Sequence, residues 1–183
     1  LGRVCVFTDT GMMHTVKVSD LPMAKLKEKG RPIDNVCKFD SAKENVIYIT
    51  NQSELNLYRL VFVTAQGYVK IVSGGEFDVT RLTIQATKLD EDDRLVMAGA
   101  ITDQQNIVLR TQEGFFLKYS LEEIPEQKKT ARGVRGIKLS SKDAVEDAWI
   151  LNPNVPNTIA FHDREIDLNH FKSTARGGKG TRK

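Results

Sequence analysis

Leu60-Val61-Phe62-Val63-Thr64-Ala65-Gln66-Gly67-Tyr68-Val69-Lys70-Ile71-Val72 consists of two apolar runs joined by a turn that ends in glycine. Short runs rich in Val, Ile, Phe and Tyr around such a turn are a β-hairpin signal. Glycine suits the turn because it takes positive φ without the steric cost other residues bear. The pattern occurs twice more. Val4-Cys5-Val6-Phe7-Thr8-Asp9-Thr10-Gly11 leads into Met12 to Val18, and Ile107-Val108-Leu109-Arg110-Thr111-Gln112-Glu113-Gly114 leads into Phe115 to Tyr119. A fourth copy starts at Asn157-Thr158-Ile159-Ala160-Phe161 and continues in Ile166-Asp167-Leu168-Asn169, with Asp163 and Arg164 in the turn instead of glycine.

A second half-motif follows each of the first three hairpins. Lys38-Phe39-Asp40, Lys88-Leu89-Asp90 and Lys138-Leu139-Ser140 recur every 50 residues. Each leads through a polar turn into a further apolar strand, at Val46 to Ile49, Leu95 to Ile101 and Val145 to Leu151. Helical periodicity is almost absent; Leu21 to Lys29 and Ser120 to Ile124 have room for a helical turn each. Four short strands in roughly 50 residues, repeated in tandem, is the arithmetic of a propeller blade. The fold class expected is therefore all-β and propeller-like, with a β-sandwich of look-alike hairpins as the alternative. The expected repeats are about 1–52, 53–102, 103–152 and a partial 153–175, in one domain, with a basic Gly-rich tail over 176–183. Three blades and a fragment are few for a closed ring, which predicts an incomplete or open array.

Length and composition agree. The chain has 183 residues, 40% of them apolar and 28% charged, which is enough to bury a core and too apolar for a disordered chain. No apolar run reaches the roughly 20 residues of a membrane helix, so no membrane partner is expected. Cys5 and Cys37 lie in apolar runs, too few for a disulfide framework and suited to a reducing cytosol. The start at Leu1, directly before a strand, suggests a piece of a longer protein.

Net charge is only +3, but its distribution is uneven. Lys25, Lys27, Lys29 and Arg31 form one cluster. Lys128, Lys129, Arg132, Arg135 and Lys138 form a second, and Lys172, Arg176, Lys179, Arg182 and Lys183 a third. All three fall in the links between a hairpin and the second half of its unit, which a radial repeat places on one rim. Such a row of cations can follow a phosphate backbone without reading bases. The bland alternative is a set of solvated loop lysines. Glycines interleave the cations in Ala131-Arg132-Gly133-Val134-Arg135-Gly136 and in Thr174-Ala175-Arg176-Gly177-Gly178-Lys179-Gly180. Glycine allows close approach of backbone N–H groups to phosphate, though a strand-entry turn and a frayed tail explain the same residues. Neither stretch has the spacing of a phosphate-binding P-loop.

Other chemistry is poorly represented. His14, His162 and His170 lack the spacing of a zinc or protease motif. Asp90-Glu91-Asp92-Asp93 lacks the alternating ligands and glycine of an EF-hand. Trp149 and Phe161 read as core. Tyr58, Tyr68 and Tyr119 lie in strands away from the basic clusters along the chain, which argues against a base-stacking single-strand binder. No catalytic site, metal or cofactor is expected.

The string Thr130-Ala131-Arg132-Gly133-Val134-Arg135-Gly136-Ile137-Lys138-Leu139, after Ile124-Pro125, resembles a blade of the C-terminal domain of the A protein of bacterial DNA gyrase or topoisomerase IV. Phe7-Thr8-Asp9-Thr10-Gly11, Leu21-Pro22 and Lys29-Gly30-Arg31-Pro32-Ile33 are similar to the early blades of that domain. Arg176-Gly177-Gly178-Lys179-Gly180 is similar to the last five residues of the gyrase box, Gln-Arg-Arg-Gly-Gly-Lys-Gly. Thr174 and Ala175 depart from it, and the element lies in the last repeat rather than the first blade. That departure favours topoisomerase IV, or a lineage between the two, without excluding gyrase.

The resemblance implies a β-pinwheel, in which neighbouring blades exchange strands and a basic rim binds and bends duplex DNA. It implies a bacterial, cytoplasmic and nucleoid-associated protein. Its partners would be the rest of the A protein and the separate ATPase subunit, with cleavage and ATP hydrolysis performed elsewhere in the holoenzyme. A propeller scaffold for protein partners remains the main alternative, and a small-molecule propeller enzyme a weaker one.

Overall fold

The computed structural model describes residues 2–183; Leu1 lies outside the described residues. Strands account for most of the regular structure. The first hairpin pairs β1 (Arg3–Thr8) with β2 (Met12–Lys17), and β3 (Val46–Asn51) returns to the other edge of β1. The second pairs β4 (Arg59–Thr64) with β5 (Tyr68–Ser73). After β6 (Thr83–Gln85), β7 (Leu95–Ile101) returns to β4. The third pairs β8 (Asn106–Thr111) with β9 (Phe115–Ser120), and after β10 (Val134–Arg135), β11 (Val145–Leu151) returns to β8. The fourth hairpin is β12 (Thr158–Phe161) with β13 (Arg164–Asp167), and β14 (Thr181–Arg182) follows.

The short strands complete the sheets across repeats. Each sheet takes its fourth strand from the next link, giving the orders β3-β1-β2-β6, β7-β4-β5-β10 and β11-β8-β9-β14, all antiparallel, beside the two-stranded β12-β13. This strand exchange between successive sheets is the β-pinwheel arrangement. Its turn chemistry follows the sequence. Gly11, Gly67 and Gly114 have φ of 81°, 87° and 88°, while His162 and Asp163 take φ of 47° and 60° in the glycine-free fourth turn. The expected helical turn over Ser120 to Ile124 is a 3-10 turn at Leu121–Glu123. Leu21 to Lys29 forms no helix, and a single α-turn at Gln52–Leu55, capped by the Asn51 side chain, was not anticipated.

Apolar burial lies between sheets. Cys5, Phe7 and Met13 of the first sheet pack with Leu60, Phe62 and Phe77. Val61, Val69 and Ile71 of the second pack with Ile107, Leu109 and Leu117. Phe116 packs with Phe161 and Leu168. Trp149 is half-buried and stacked on Phe116 at 6.5 Å. Because side chains alternate across a strand, each sheet supplies a different set to each neighbour. Among the described residues, no helix is long and apolar enough to cross a membrane.

His14 is buried, and it joins two repeats. Its Nδ1 lies 3.1 Å from Thr83 Oγ1 on β6, and its Nε2 lies 3.1 and 3.0 Å from the two Glu44 carboxylate oxygens. The Thr8 and Thr10 hydroxyls and the Asp40 amide also donate to Glu44. Burial alone would raise the Glu44 pKa, but these donors outweigh it and hold the carboxyl below its ordinary value. The stabilisation is therefore fully present above about pH 4.3, the ordinary glutamate value, and is lost as pH falls through the lower folded value. Glu44→Gln is expected to cost about 1–3 kcal/mol at neutral pH. Melting curves from pH 7 to 3 should show its deficit shrinking as the wild type weakens.

Candidate nucleic-acid interface

The exchanged strands carry the cations. β10 lies on β5 with Arg135 opposite Tyr68, and β14 lies on β9 with Arg182 opposite Phe115. On each ring sit two cations. The Arg132 and Arg135 guanidinium carbons lie 4.4 and 5.4 Å from the Tyr68 centroid. Lys179 Nζ and the Arg182 guanidinium carbon lie 4.8 and 5.8 Å from the Phe115 centroid. All four cations are exposed. The ring restricts side chains that would otherwise be mobile and contributes about 0.5–1 kcal/mol per exposed contact. Each station thus presents two charges outward.

The local sequence explains the construction. Gly67 and Gly114 close the hairpin turns, and the next residue, Tyr68 or Phe115, opens the strand that accepts the exchanged partner. Gly133 and Gly180, at φ 104° and 83°, bring the partner strand close to the Val69 and Phe116 carbonyls. The first sheet has no such station: Met12 stands opposite Gln85, with Leu82 where the others have Arg132 and Lys179.

A second repeated element uses cations differently. Lys129 donates its amide to Glu76 Oε1 (3.2 Å) and its Nζ to the Glu76 carbonyl (3.0 Å). Arg176 repeats this on Glu123, with its amide on Oε1 (3.0 Å) and its Nε on the carbonyl (2.7 Å), and adds a bond from its guanidinium to the Arg135 carbonyl (2.8 Å). Lys129 and Arg176, both half-buried, therefore fasten each link to the preceding hairpin. Arg176→Ala is expected to lower stability by about 1–2 kcal/mol through lost charge-assisted bonds. In thermal melts it should shift the midpoint more than Lys179→Ala does.

The sequence model described as DNA gyrase C-terminal domain, beta-propeller, matches residues 58–99 and 105–148. The DNA gyrase A protein of Lawsonia intracellularis is 30% identical over 182 residues, covering 96% of this chain and 22% of the relative. The DNA gyrase A protein of Chlamydia pneumoniae is 31% identical over 185 residues, covering 97% and 22%. The chain belongs to the DNA gyrase C-terminal domain family. A solved C-terminal domain of DNA topoisomerase IV shares its fold with a TM-score of 0.88 at 23% identity, over 99% of this chain and 58% of that one. The chain spans about a fifth of the length of the curated gyrase relatives it matches.

Within this family member the second and third basic clusters adjoin. The Lys138 amide donates to the Gly178 carbonyl at 2.8 Å, and the Gly177 amide to the Gly136 carbonyl at 3.2 Å. Lys128 and Lys138 are exposed beside the first station, and Lys172 is exposed on the link that leads to the second. Lys183 Nζ lies 5.6 Å from the Phe171 ring. Lys25, Lys27, Lys29 and Arg31 sit on a separate, fully exposed stretch whose recorded bonds are local, among them Lys25 N to Glu28 Oε2 at 3.1 Å. The structure thus brings together two of the three expected clusters.

Tyr68 corrects the reading of the tyrosines as lying apart from the basic clusters: 64 residues separate it from Arg132 along the chain, yet they stack. The signal available beforehand was the aromatic residue directly after the turn glycine in two repeats. Arg132 also pairs with Asp90 Oδ2 at 3.1 Å, so the acidic turn faces a candidate contact.

Proposed function

We propose that this chain is a noncatalytic module that binds duplex DNA along its basic links and bends it, within an ATP-dependent type II topoisomerase. The observation that carries the reading is the repeated pair of stations, Arg132 and Arg135 on Tyr68, and Lys179 and Arg182 on Phe115. Two cation pairs at equivalent places on neighbouring sheets suit a ligand with regularly spaced negative charge. The family adds the class of partner: its named members are parts of DNA gyrase. Lys128, Lys138, Lys172 and Lys183 would extend the contact from the two stations, and Lys25, Lys27, Lys29 and Arg31 would supply a separate arm.

Phosphate contacts carry little sequence information, and the domain has no long helix to enter a major groove. Binding should therefore be indifferent to sequence. Bending a 20–30 bp segment by 40–90° costs on the order of 1–6 kcal/mol, which the added contacts must exceed. In the intact protein the module would present a DNA segment for strand passage performed by the rest of the A protein with the ATPase subunit, in the bacterial cytoplasm.

Fluorescence anisotropy on duplexes of about 15 and about 40 bp, at two salt concentrations, tests the reading. Support requires affinity that rises with length, falls steeply with salt and ignores sequence. Absence of binding to either duplex at low salt would sink it.

A further inference from the structure

Lys70 is buried, with 1% of its surface exposed, yet it lies on β5 directly behind the most basic link. Its Nζ donates to three main-chain carbonyls of one turn: Lys128 at 3.2 Å, Lys129 at 2.9 Å and Ala131 at 2.7 Å. These residues immediately precede or contain candidate contacts. Three donors on one ammonium match three carbonyls, so the group's hydrogen-bonding capacity is filled. With its carbonyls drawn inward, the turn holds the Lys128 and Arg132 side chains on its outer side. Lys129 is fixed independently to Glu76, so the turn is gripped from two directions.

From this arrangement we infer that Lys70 is a positioning residue for the DNA contact, acting through the Lys128–Arg132 turn rather than on phosphate itself. The inference rests on the DNA-binding reading and adds to it an internal determinant. The same position differs in the neighbouring repeats. His14 in the first grips Thr83 of its own exchanged strand, and Leu117 in the third offers no donor. The device therefore belongs to the second sheet alone among the three four-stranded sheets.

The grip depends on charge. Burial pulls the Lys70 pKa down to about 8, with Glu76 acting in the opposite direction. The other charged groups of the surrounding elements are Lys128, Lys129 and Arg132 on the link, Lys88, whose amide donates to the Lys129 carbonyl, and Asp90, paired with Arg132. The β4 side offers the uncharged Phe62 ring, 5.7 Å from Nζ. Deprotonation above about pH 8 leaves a neutral amine with weaker hold on the carbonyls.

The test is duplex anisotropy from pH 6.5 to 9.5 on wild-type protein and Lys70→Met, with the Lys70 side-chain NMR signal titrated in parallel. The expected result is roughly tenfold weaker binding by Lys70→Met at pH 7, in protein that melts well above the assay temperature. Wild-type affinity should also fall with an inflection that tracks the Lys70 signal and is missing in Lys70→Met. Binding by Lys70→Met within twofold of wild type at pH 7 would overturn the inference and leave the DNA reading intact. If Lys70→Met does not fold, the wild-type profile decides: an affinity that does not follow the Lys70 titration overturns it. Wild-type protein that binds no duplex at any pH would instead overturn the DNA reading and this inference with it.

Discussion

With Arg132, Arg135, Lys179 and Arg182 all replaced by alanine, duplex binding is expected to weaken by about three orders of magnitude, taking roughly 1 kcal/mol per lost phosphate contact. The slope of log affinity against log salt should become shallower by about 3–4, because each neutralised phosphate contributes about 0.9. Each half of the set should account for about half of both effects, since the two stations sit on different sheets and share no residue. The loss should also be equal on unrelated sequences, as phosphate contacts require. Stability changes little in comparison. None of the four side chains belongs to the buried core, so the melting midpoint should fall by only a few degrees, reflecting lost stacking on Tyr68 and Phe115. A quadruple variant with wild-type affinity and slope would place the DNA contact on other residues, of which Lys25 to Arg31 are the first to test.

The contrast with Lys129 and Arg176 is what gives the experiment its discrimination. All six residues are cations in the same links, and composition ranks them equally. Geometry separates them: four stand outward on aromatic rings, and two turn inward onto the carbonyls of Glu76 and Glu123. Alanine at Lys129 or Arg176 should therefore be read first in melting curves and only secondarily in binding.

What could be read from the sequence followed from local chemistry. Turn glycines at Gly11, Gly67 and Gly114 mark positive φ, and alternation of apolar residues marks the strands they join, so hairpins and returning strands such as Leu95–Ile101 were legible. The sites were less so, because they form between residues far apart in the chain. Ala131-Arg132-Gly133 and Ala175-Arg176-Gly177 look like equivalent strings. Strand pairing instead aligns Arg135 with Arg182, opposite Tyr68 and Phe115, and so aligns Lys129 with Arg176 and Arg132 with Lys179. String similarity is misleading here because the spacing between these two repeats is 47 residues, as from Gly67 to Gly114, while the Arg-Gly strings lie 44 apart, at Arg132 and Arg176. Lys70 escaped notice for a related reason. A lysine in an apolar strand reads as a solvent-facing position, and only the exchanged link makes it interior.

Gly133→Ala is expected to have a large effect on stability for so conservative a change. The residue has φ of 104°, a conformation L side chains rarely adopt. An added Cβ would lie 2.7 Å from the Val69 carbonyl oxygen and 3.1 Å from its carbon, both main-chain atoms of β5. Relief requires β10 to move off β5, and β10 is held between sheets by the Gly136 amide on Gly67 and by the fastening of Arg176 to Arg135. Strain and clash together should cost about 3 kcal/mol or more, equivalent to roughly 6–12 °C in melting midpoint for a chain of this size. Gly180→Ala faces a closer contact, 2.3 Å to the Phe116 carbonyl oxygen at φ 83°. Yet Thr181 and Arg182 of β14 are exposed, so that strand can detach with little loss of core. Gly180→Ala should therefore melt near wild type while losing the Lys179 and Arg182 station, with a salt slope shallower by about 2. Gly133→Ala should lose midpoint first. The reverse order in melting and anisotropy would mean that β14, and not β10, carries the stability of the exchanged strands.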